Sequence, residues 1–207
     1  YVATGFGIVE VNPETLEFGE TYYFYADLGY KIPLKVNQAM VFEMRLYAVT
    51  EQGIFSTSQA NPNKLEFSSW EKYNLTTGNW VLLWIQDSSL YGAKDEGDNI
   101  YIFELGNALD KKASFSGDLK NISPYPEGVV ITTINRIYDT DKSFVRTQTI
   151  GDLDGVKPNT YNFALSHNEQ MWIGTSREGL IRYTNNNNVD LISPQGPLLN
   201  SIFDIEN

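Results

Sequence analysis

The sequence predicts an all-β protein, a β-propeller built from four-stranded antiparallel blades, and three observations predict it. Short runs of β-branched, aromatic and aliphatic residues alternate with turns rich in Gly, Asn and Asp along the 207 residues. No stretch longer than a turn has the apolar period of a helix. One hairpin pattern returns at a nearly constant interval, which is the mark of a repeat architecture.

The repeated unit is a strand that ends in threonine, a tight turn, and a second strand that alternates apolar and polar residues. Residues 171–183 (Met-Trp-Ile-Gly-Thr-Ser-Arg-Glu-Gly-Leu-Ile-Arg-Tyr) show the whole unit. Its equivalent positions Thr4, Thr50, Lys94, Thr133 and Thr175 lie 46, 44, 39 and 42 residues apart. A period of roughly 40–45 residues with about four strands is that of a propeller blade. A β-sandwich or barrel with irregular hairpins is the alternative, and the repeated hairpin argues against it.

The N-terminal half provides the first two blades. Blade 1 is predicted to have a hairpin over 1–4 and 7–12 and an outer strand over 21–25. The Thr-Tyr-Tyr-Phe-Tyr sequence of that outer strand is either an aromatic rim or a carbohydrate platform. The rim is favoured, because an outer strand must cover the edge of its blade. The strands predicted for blade 2 are 36–42, 46–50, 54–58 and 65–67, with Trp70 as a cap.

The C-terminal half continues the same pattern. The strands predicted for blade 3 are 80–86, 90–94 and 99–105, followed by a polar loop over 106–112. Those of blade 4 are 120–125, 129–133, 137–140 and 144–150, followed by a turn-rich loop over 151–155. Those of blade 5 are 161–166, 171–175, 180–183 and 189–192, and 201–205 is predicted as the first strand of a further blade.

Residues 1–207 are therefore predicted to be part of one β-propeller domain, with about four blades and both ends cut inside blades. We expect an incomplete arc of a larger ring, which would be poorly soluble on its own. Trp172 and Tyr47 are predicted to be buried between blades, because each repeat buries its faces only against its neighbours.

Composition excludes several classes of function. The chain has no cysteine, which rules out disulfides, iron–sulfur clusters and thiol catalysis. Its net charge is −11 with no basic stripe, which argues against nucleic acid as a partner. No apolar window approaches the roughly 18 residues of a transmembrane helix, so no membrane span is predicted.

Candidate catalytic or ligand-binding chemistry is sparse. The single histidine, His167, lies in a predicted turn and is interpreted as a surface residue, because one histidine cannot build a multi-histidine metal site. The sequence contains no phosphate loop, nucleophile elbow or zinc spacing. No catalytic residue, metal site or cofactor is predicted, and ligand-binding residues are left unassigned.

Two acidic turns and two sequons are interpreted as structural. Asp152, Asp154 and Gly155 resemble a fragment of a calcium loop, but the further acidic ligands of such a loop are missing. The cluster of Asp95, Glu96 and Asp98 is interpreted as solvated. The glycosylation sequons, which often arise by chance, are Asn74-Leu75-Thr76 and Asn121-Ile122-Ser123.

Two sets of residues resemble known families. Residues 171–175 (Met-Trp-Ile-Gly-Thr) with 179–183 (Gly-Leu-Ile-Arg-Tyr) resemble the two-component-regulator propeller repeat, which many proteins share. A more specific set resembles, in order, the N-terminal propeller of the PorZ family, the surface component of the bacterial type IX secretion system. Its members are 1–9 (Tyr-Val-Ala-Thr-Gly-Phe-Gly-Ile-Val), 17–23 (Glu-Phe-Gly-Glu-Thr-Tyr-Tyr), 46–54 (Leu-Tyr-Ala-Val-Thr-Glu-Gln-Gly-Ile), 67–70 (Phe-Ser-Ser-Trp) and 193–197 (Ser-Pro-Gln-Gly-Pro). Blade 3 departs from the repeat, since Lys94 replaces its threonine.

The PorZ resemblance implies a location and partners. It implies a non-enzymatic propeller at the cell surface, associated with the outer membrane. The implied partners are a PorU-like sortase, PorV-like and PorQ-like outer-membrane proteins, and anionic lipopolysaccharide that is delivered to secreted cargo. No binding residue is carried over from the family.

Two other functions stay open. A periplasmic oligosaccharide-sensing propeller of a hybrid two-component histidine kinase would share the Trp-Ile-Gly-Thr repeat. A kinase and a transmembrane helix in the full-length sequence would favour it, and a sorting-type C-terminal domain would favour the PorZ role. A propeller lyase or glycosidase would need converging His, Tyr, Arg or carboxylate groups, which the sequence does not indicate.

Overall fold

The computed structural model describes residues 1–26, 32–73, 75–153, 160–184 and 188–192. Within these ranges the regular elements are β-strands, apart from one turn of 3-10 helix at Phe67–Ser69. Within each sheet, every strand pairs antiparallel with the next one along the chain, so that the sheets are simple meanders. The all-β fold with four-stranded antiparallel blades of the β-propeller type is therefore confirmed.

The strands group into five sheets in the described part of the chain, and these are the blades. Blade 1 contains β1 (Val2–Thr4), β2 (Gly7–Val11) and β3 (Phe18–Tyr23). Blade 2 contains β4 (Val36–Phe42), β5 (Arg45–Thr50), β6 (Gly53–Ser58) and β7 (Glu71–Lys72). Blade 3 contains β8 (Asn79–Gln86), β9 (Ser89–Asp95), β10 (Asn99–Leu105) and β11 (Leu109–Ser116). Blade 4 contains β12 (Leu119–Tyr125), β13 (Gly128–Thr133), β14 (Ile137–Asp141) and β15 (Arg146–Ile150). Blade 5 contains β16 (Tyr161–His167), β17 (Gln170–Thr175), β18 (Leu180–Thr184) and β19 (Val189–Ile192).

The repeated threonine closes the hairpin in four blades. Its hydroxyl donates to a backbone carbonyl at the start of the next strand and accepts a backbone N–H from the turn, which satisfies groups that the strand ladder leaves unpaired. The hydroxyl-to-carbonyl distances are 2.9 Å for Thr4 to Gly7, 2.7 Å for Thr50 to Gly53, 2.9 Å for Thr133 to Arg136 and 2.9 Å for Thr175 to Gly179. The threonines of blades 2, 4 and 5 are fully buried.

The predicted equivalence of the repeats is confirmed by topology. The strands that end at or near Thr50, Lys94, Thr133 and Thr175 are each the second strand of a four-stranded sheet. In blade 3 the Lys94 ammonium pairs with Glu96 at 2.5 Å, and the strand extends to Asp95. The blade therefore keeps its strand order without the threonine.

Contacts divide the chain into two compact units, Tyr1–Glu96 with Tyr101–Lys111, and Gly97–Ile100 with Lys112–Asn207. In the first unit, Phe24, Phe55 and Trp70 lie in the core between blades 1 and 2. In the second unit, Met171 and Ile173 of blade 5 pack with Val130 of blade 4. Each core uses the apolar face of its strands, because successive side chains point to opposite sides of a sheet.

Of the two residues predicted to be buried, one is confirmed and one is wrong. Tyr47 is buried, with 6% of its surface exposed. Trp172 is only half-buried. It lies between Met171 and Ile173 in β17, so the alternation of the strand turns it to the opposite face, where it is paired with Arg182.

Two further predictions are wrong at the outer edges of blades. The segment 65–67 is not an outer strand, because Phe67 and Trp70 turn into the aromatic core and the pairing strand is β7. The segment predicted as a polar loop, 106–112, begins β11. Five of the eight β11 residues are exposed, so this outer strand lacks an apolar signal.

The aromatic run predicted over 21–25 packs inward as a rim. The strand itself is β3, and its Tyr22 is buried together with Phe24. The centroid of Trp70 lies 4.8 Å from that of Phe24 and 6.1 Å from that of Tyr22. Residues 201–205 lie outside the described residues, so the open arc and its blade number stay predictions.

In the described residues no helix has the length and apolar character needed to cross a membrane.

Candidate functional site

A pocket of about 880 Å³ opens in the second unit where the first and second strands of blades 4 and 5 are joined. It is formed by the β12–β13 turn, the middle of the β14–β15 pair and the β16–β17 turn. The side chains that give it its character are Tyr125, Glu127, Asp139, Gln148, His167 and Glu169. Its size is in the range of small-molecule sites, which are roughly 300–1,000 Å³.

Strand register and turn geometry position these side chains. Asp139 and Gln148 are cross-strand partners in blade 4, so both point from the same face of the sheet. The β16–β17 turn has Asn168 and Glu169 at φ of 49° and 59°. Positive φ at both central residues is the requirement of a tight two-residue hairpin, and it places His167 at the end of β16 beside the pocket.

Asp139 is a half-buried carboxylate held by a tyrosine. The Tyr125 hydroxyl donates to Asp139 Oδ1 at 2.8 Å and lies 3.2 Å from the Thr140 carbonyl. Burial raises the pKa of Asp139, and the hydrogen bond from Tyr125 acts in the opposite direction. Burial, followed by the hydrogen bond to Asp139, raises the pKa of Tyr125, so the phenol stays protonated as the donor.

Gln148 connects the pocket to the core of blade 5. Its Nε2 donates to the Tyr183 hydroxyl at 2.8 Å. Tyr183 is buried and belongs to the core that also contains Met171, another pocket residue. The carboxamide is thereby fixed at the boundary between the core and the pocket.

His167 is exposed, as predicted, but it is the last residue of β16 instead of a turn residue, and the sequence analysis missed that it borders a pocket. Its Nε2 lies 2.9 Å from the Asn168 side-chain nitrogen. The signal that could have located the pocket is the repeat register. The residue three positions before the repeated threonine has a cross-strand partner on the next strand. That partner is Ser56 in blade 2, Asp139 in blade 4 and Arg182 in blade 5.

A second pocket of about 600 Å³ lies in the first unit at the corresponding strand position of blade 2. Here Arg45 Nη2 donates to Ser56 Oγ at 3.0 Å and to Glu71 Oε2 at 2.9 Å. Both of these hydrogen bonds are to residues of the same blade as Arg45. Lys72, Tyr47 and Tyr73 also line it, so this pocket has an arginine and a lysine, whereas the described lining of the first pocket has neither.

The other candidates from the sequence do not converge. Glu96 pairs with Lys94 instead of joining Asp95 and Asp98. Among the described residues no three His, Asp or Glu side chains are grouped to hold a metal ion. Asp154, with Gly155, lies outside the described residues.

The two sequons differ in what the structure describes. Asn121 lies in β12, where the Ser123 hydroxyl donates to its Oδ1 at 2.8 Å. Asn74 lies outside the described residues. The hydroxyl of its partner Thr76 is buried and accepts the backbone N–H of Ile54 at 3.0 Å.

The chain resembles solved propeller structures. PorZ of Porphyromonas gingivalis, described as an essential surface component of the type IX secretion system, matches 95% of this chain and 25% of its own length, with 19% identity and a TM-score of 0.63. The extracellular domain of a hybrid two-component system of B. thetaiotaomicron matches 95% of the chain and 26% of its own length, with 17% identity and a TM-score of 0.57. The dihydro-heme d1 dehydrogenase NirN matches 91% of the chain and 44% of its own length, with 13% identity and a TM-score of 0.60.

These similarities show the fold. The chain spans about a quarter of the length of PorZ and of the two-component protein. No family model matches the chain, and no curated protein matches it. Because both non-catalytic and enzymatic roles occur on propellers, the function must be argued from the site.

Proposed function

We propose that this chain is a non-catalytic propeller of a bacterial surface assembly of the type IX secretion kind. The observation that carries the proposal is the likeness to PorZ over 95% of the chain, together with the ordered stretches that resemble the same family in sequence. In this role the chain lies outside the cytoplasm, at the outer membrane. Its partners are a PorU-like sortase and PorV-like and PorQ-like proteins, and it supports the delivery of anionic lipopolysaccharide to secreted cargo.

The composition of the pocket supports a non-catalytic role. Asp139 is engaged by the Tyr125 phenol. The only histidine of the sequence is exposed at the end of β16 and contacts Asn168. The net charge of −11 disfavours direct contact with an anionic lipid, so the role proposed is that of a scaffold.

The test is purification of the intact protein, tagged at its chromosomal locus, from detergent-solubilised outer membranes, followed by mass spectrometry. We expect a sortase and outer-membrane barrel proteins to be enriched over an untagged strain. Enrichment of inner-membrane proteins with no barrel or sortase would contradict the proposal.

A second function is supported by the likeness to the extracellular domain of a hybrid two-component system. In that case the propeller senses an oligosaccharide outside the cytoplasm. The full-length gene separates the two, since a downstream transmembrane helix and kinase support the sensor, and a sorting-type C-terminal domain supports the secretion role.

A further inference from the structure

The pocket of blades 4 and 5 is lined by side chains that the strands and their hydrogen bonds hold in place. Buried Met171 and half-buried Tyr125, Asp139 and Gln148 lie on strands, and the exposed lining residues lie in the turns or, for His167, at the strand end next to one. The cavity therefore deepens from the turns toward the sheet. Because Gln148 is hydrogen-bonded to Tyr183 and Asp139 to Tyr125, the pocket needs little rearrangement to accept a ligand.

The charges around this pocket select against anions. Glu127, Asp139 and Glu169 line it, and its described lining residues include neither lysine nor arginine. A phosphate or uronate group would meet these three carboxylates with no lysine or arginine among the described lining residues to offset their charge. The carboxylates are also not gathered for a metal, since no such group of acidic side chains occurs in the described residues.

The other groups of the pocket can form hydrogen bonds with the hydroxyls of a sugar and contact its apolar face. Carboxamides both donate and accept hydrogen bonds, as sugar hydroxyls do, and three of them line the pocket: Gln148, Asn168 and Gln170. Glu127 and Glu169 have no hydrogen-bond partner within the described residues and can accept from hydroxyls. The half-buried Tyr125 ring offers apolar surface to the C–H face of a pyranose.

We propose that this pocket binds a neutral oligosaccharide, with the carboxamides and carboxylates hydrogen-bonding to its hydroxyls and the Tyr125 ring contacting a ring face. This inference rests on the second function proposed above, the oligosaccharide sensor, for which it supplies the binding site, and not on the secretion partners. The site also differs from any site for anionic lipopolysaccharide, because its charge repels acidic sugars.

The test is isothermal titration of the intact protein with short malto-, cello-, xylo- and manno-oligosaccharides. Oligogalacturonate of equal length and a short oligolysine peptide serve as the acidic and cationic comparisons. We expect at least one neutral series to bind, and the acidic series to bind at least about tenfold more weakly. Asp139→Asn and Gln148→Ala should each weaken the neutral ligand by about tenfold, the size of one hydrogen bond to a charged or fixed group.

Two further variants complete the test, one in the pocket and one as a control outside it. Glu169→Asn shortens an exposed side chain at a position of positive φ that asparagine tolerates, so it keeps the fold and should still weaken binding. Ser56→Ala alters the corresponding position of blade 2 and should leave binding unchanged. The proposal is overturned if no neutral series binds, if the peptide binds in its place, or if folded pocket variants bind like the parent chain.

Discussion

Blade 1 and blade 4 present a carboxylate in corresponding places, pair it with a tyrosine, and then surround it differently. In blade 1, Glu10 Oε2 accepts from the Tyr22 hydroxyl at 3.1 Å. In blade 4, Asp139 Oδ1 accepts from the Tyr125 hydroxyl at 2.8 Å. The Tyr22 ring is buried against Trp70, whereas Tyr125 is half-buried and lines the polar pocket.

The cause of the difference is a connection between strands. In blade 2 the twelve residues between β6 and β7 fold back, and Phe67 and Trp70 fill the space against blade 1. In blade 5, which packs against blade 4, only four residues separate β18 from β19, and a pocket is present beside Asp139. One blade frame therefore yields either a hydrophobic rim or a binding site, depending on one loop.

The largest expected effect is at the filled rim. Trp70→Ala should lower the free energy of unfolding by about 3–5 kcal/mol, because it removes a buried ring in contact with several others. Trp172→Ala should cost less than half as much, since Trp172 is half-buried. Urea denaturation followed by circular dichroism measures both. Equal losses would mean that the aromatic cluster is no more stabilising than the exposed face of blade 5.

The next prediction concerns the hairpin threonines, which occur both in blade 1 and in blades 4 and 5. Thr133→Val and Thr175→Val should each cost about 1–3 kcal/mol, because the substitution leaves buried backbone groups unpaired. Thr4→Val should cost less, since Thr4 is half-buried and water can replace its hydroxyl. The same denaturation experiment applies. A smaller loss at the two buried threonines than at Thr4 would contradict the role assigned to the repeat.

Removing the hydroxyls of Tyr22 and Tyr125 compares the surroundings of the two carboxylates, Glu10 and Asp139. Tyr22→Phe should cost about 1 kcal/mol, the net value of a typical hydrogen bond. Tyr125→Phe should cost less, because water in the open pocket can solvate Asp139. A larger loss for Tyr125→Phe would show that the pocket is less open to water than its lining indicates.

The smallest effect is a pH dependence at Asp139. Its pKa is raised in the folded protein, so the folded state holds the proton more tightly than the unfolded state. Stability should therefore fall as the pH rises from the ordinary aspartate pKa through the folded value, and should be level above it. Asp139→Asn should remove this decline, while Ser56→Ala keeps it. Melting temperatures across an acidic pH series provide the measurement, and a decline that persists in Asp139→Asn would contradict the assignment.

Sequence reasoning located most strands and failed where a residue's role depends on a distant neighbour. The hairpins around Thr50, Thr133 and Thr175 were predicted because threonine, turn and alternating strand are adjacent in the chain. The β11 strand was missed since its exposed polar residues carry no apolar period. The pocket was missed because Tyr125, Asp139 and His167 come together only when three separate hairpins pack.

By itself the sequence determined the repeat and the antiparallel meander of each blade, because both follow from patterns within about 45 residues. Only the tertiary structure showed that the repeated threonine hydroxyl closes the hairpin, and that Trp70 is core and Trp172 is not. It alone showed that the same strand position carries a carboxylate beside the aromatic core in one blade and a carboxylate in a pocket in another. The physical reason is that local alternation specifies two faces for each strand, whereas the packing of neighbouring segments decides which face water reaches.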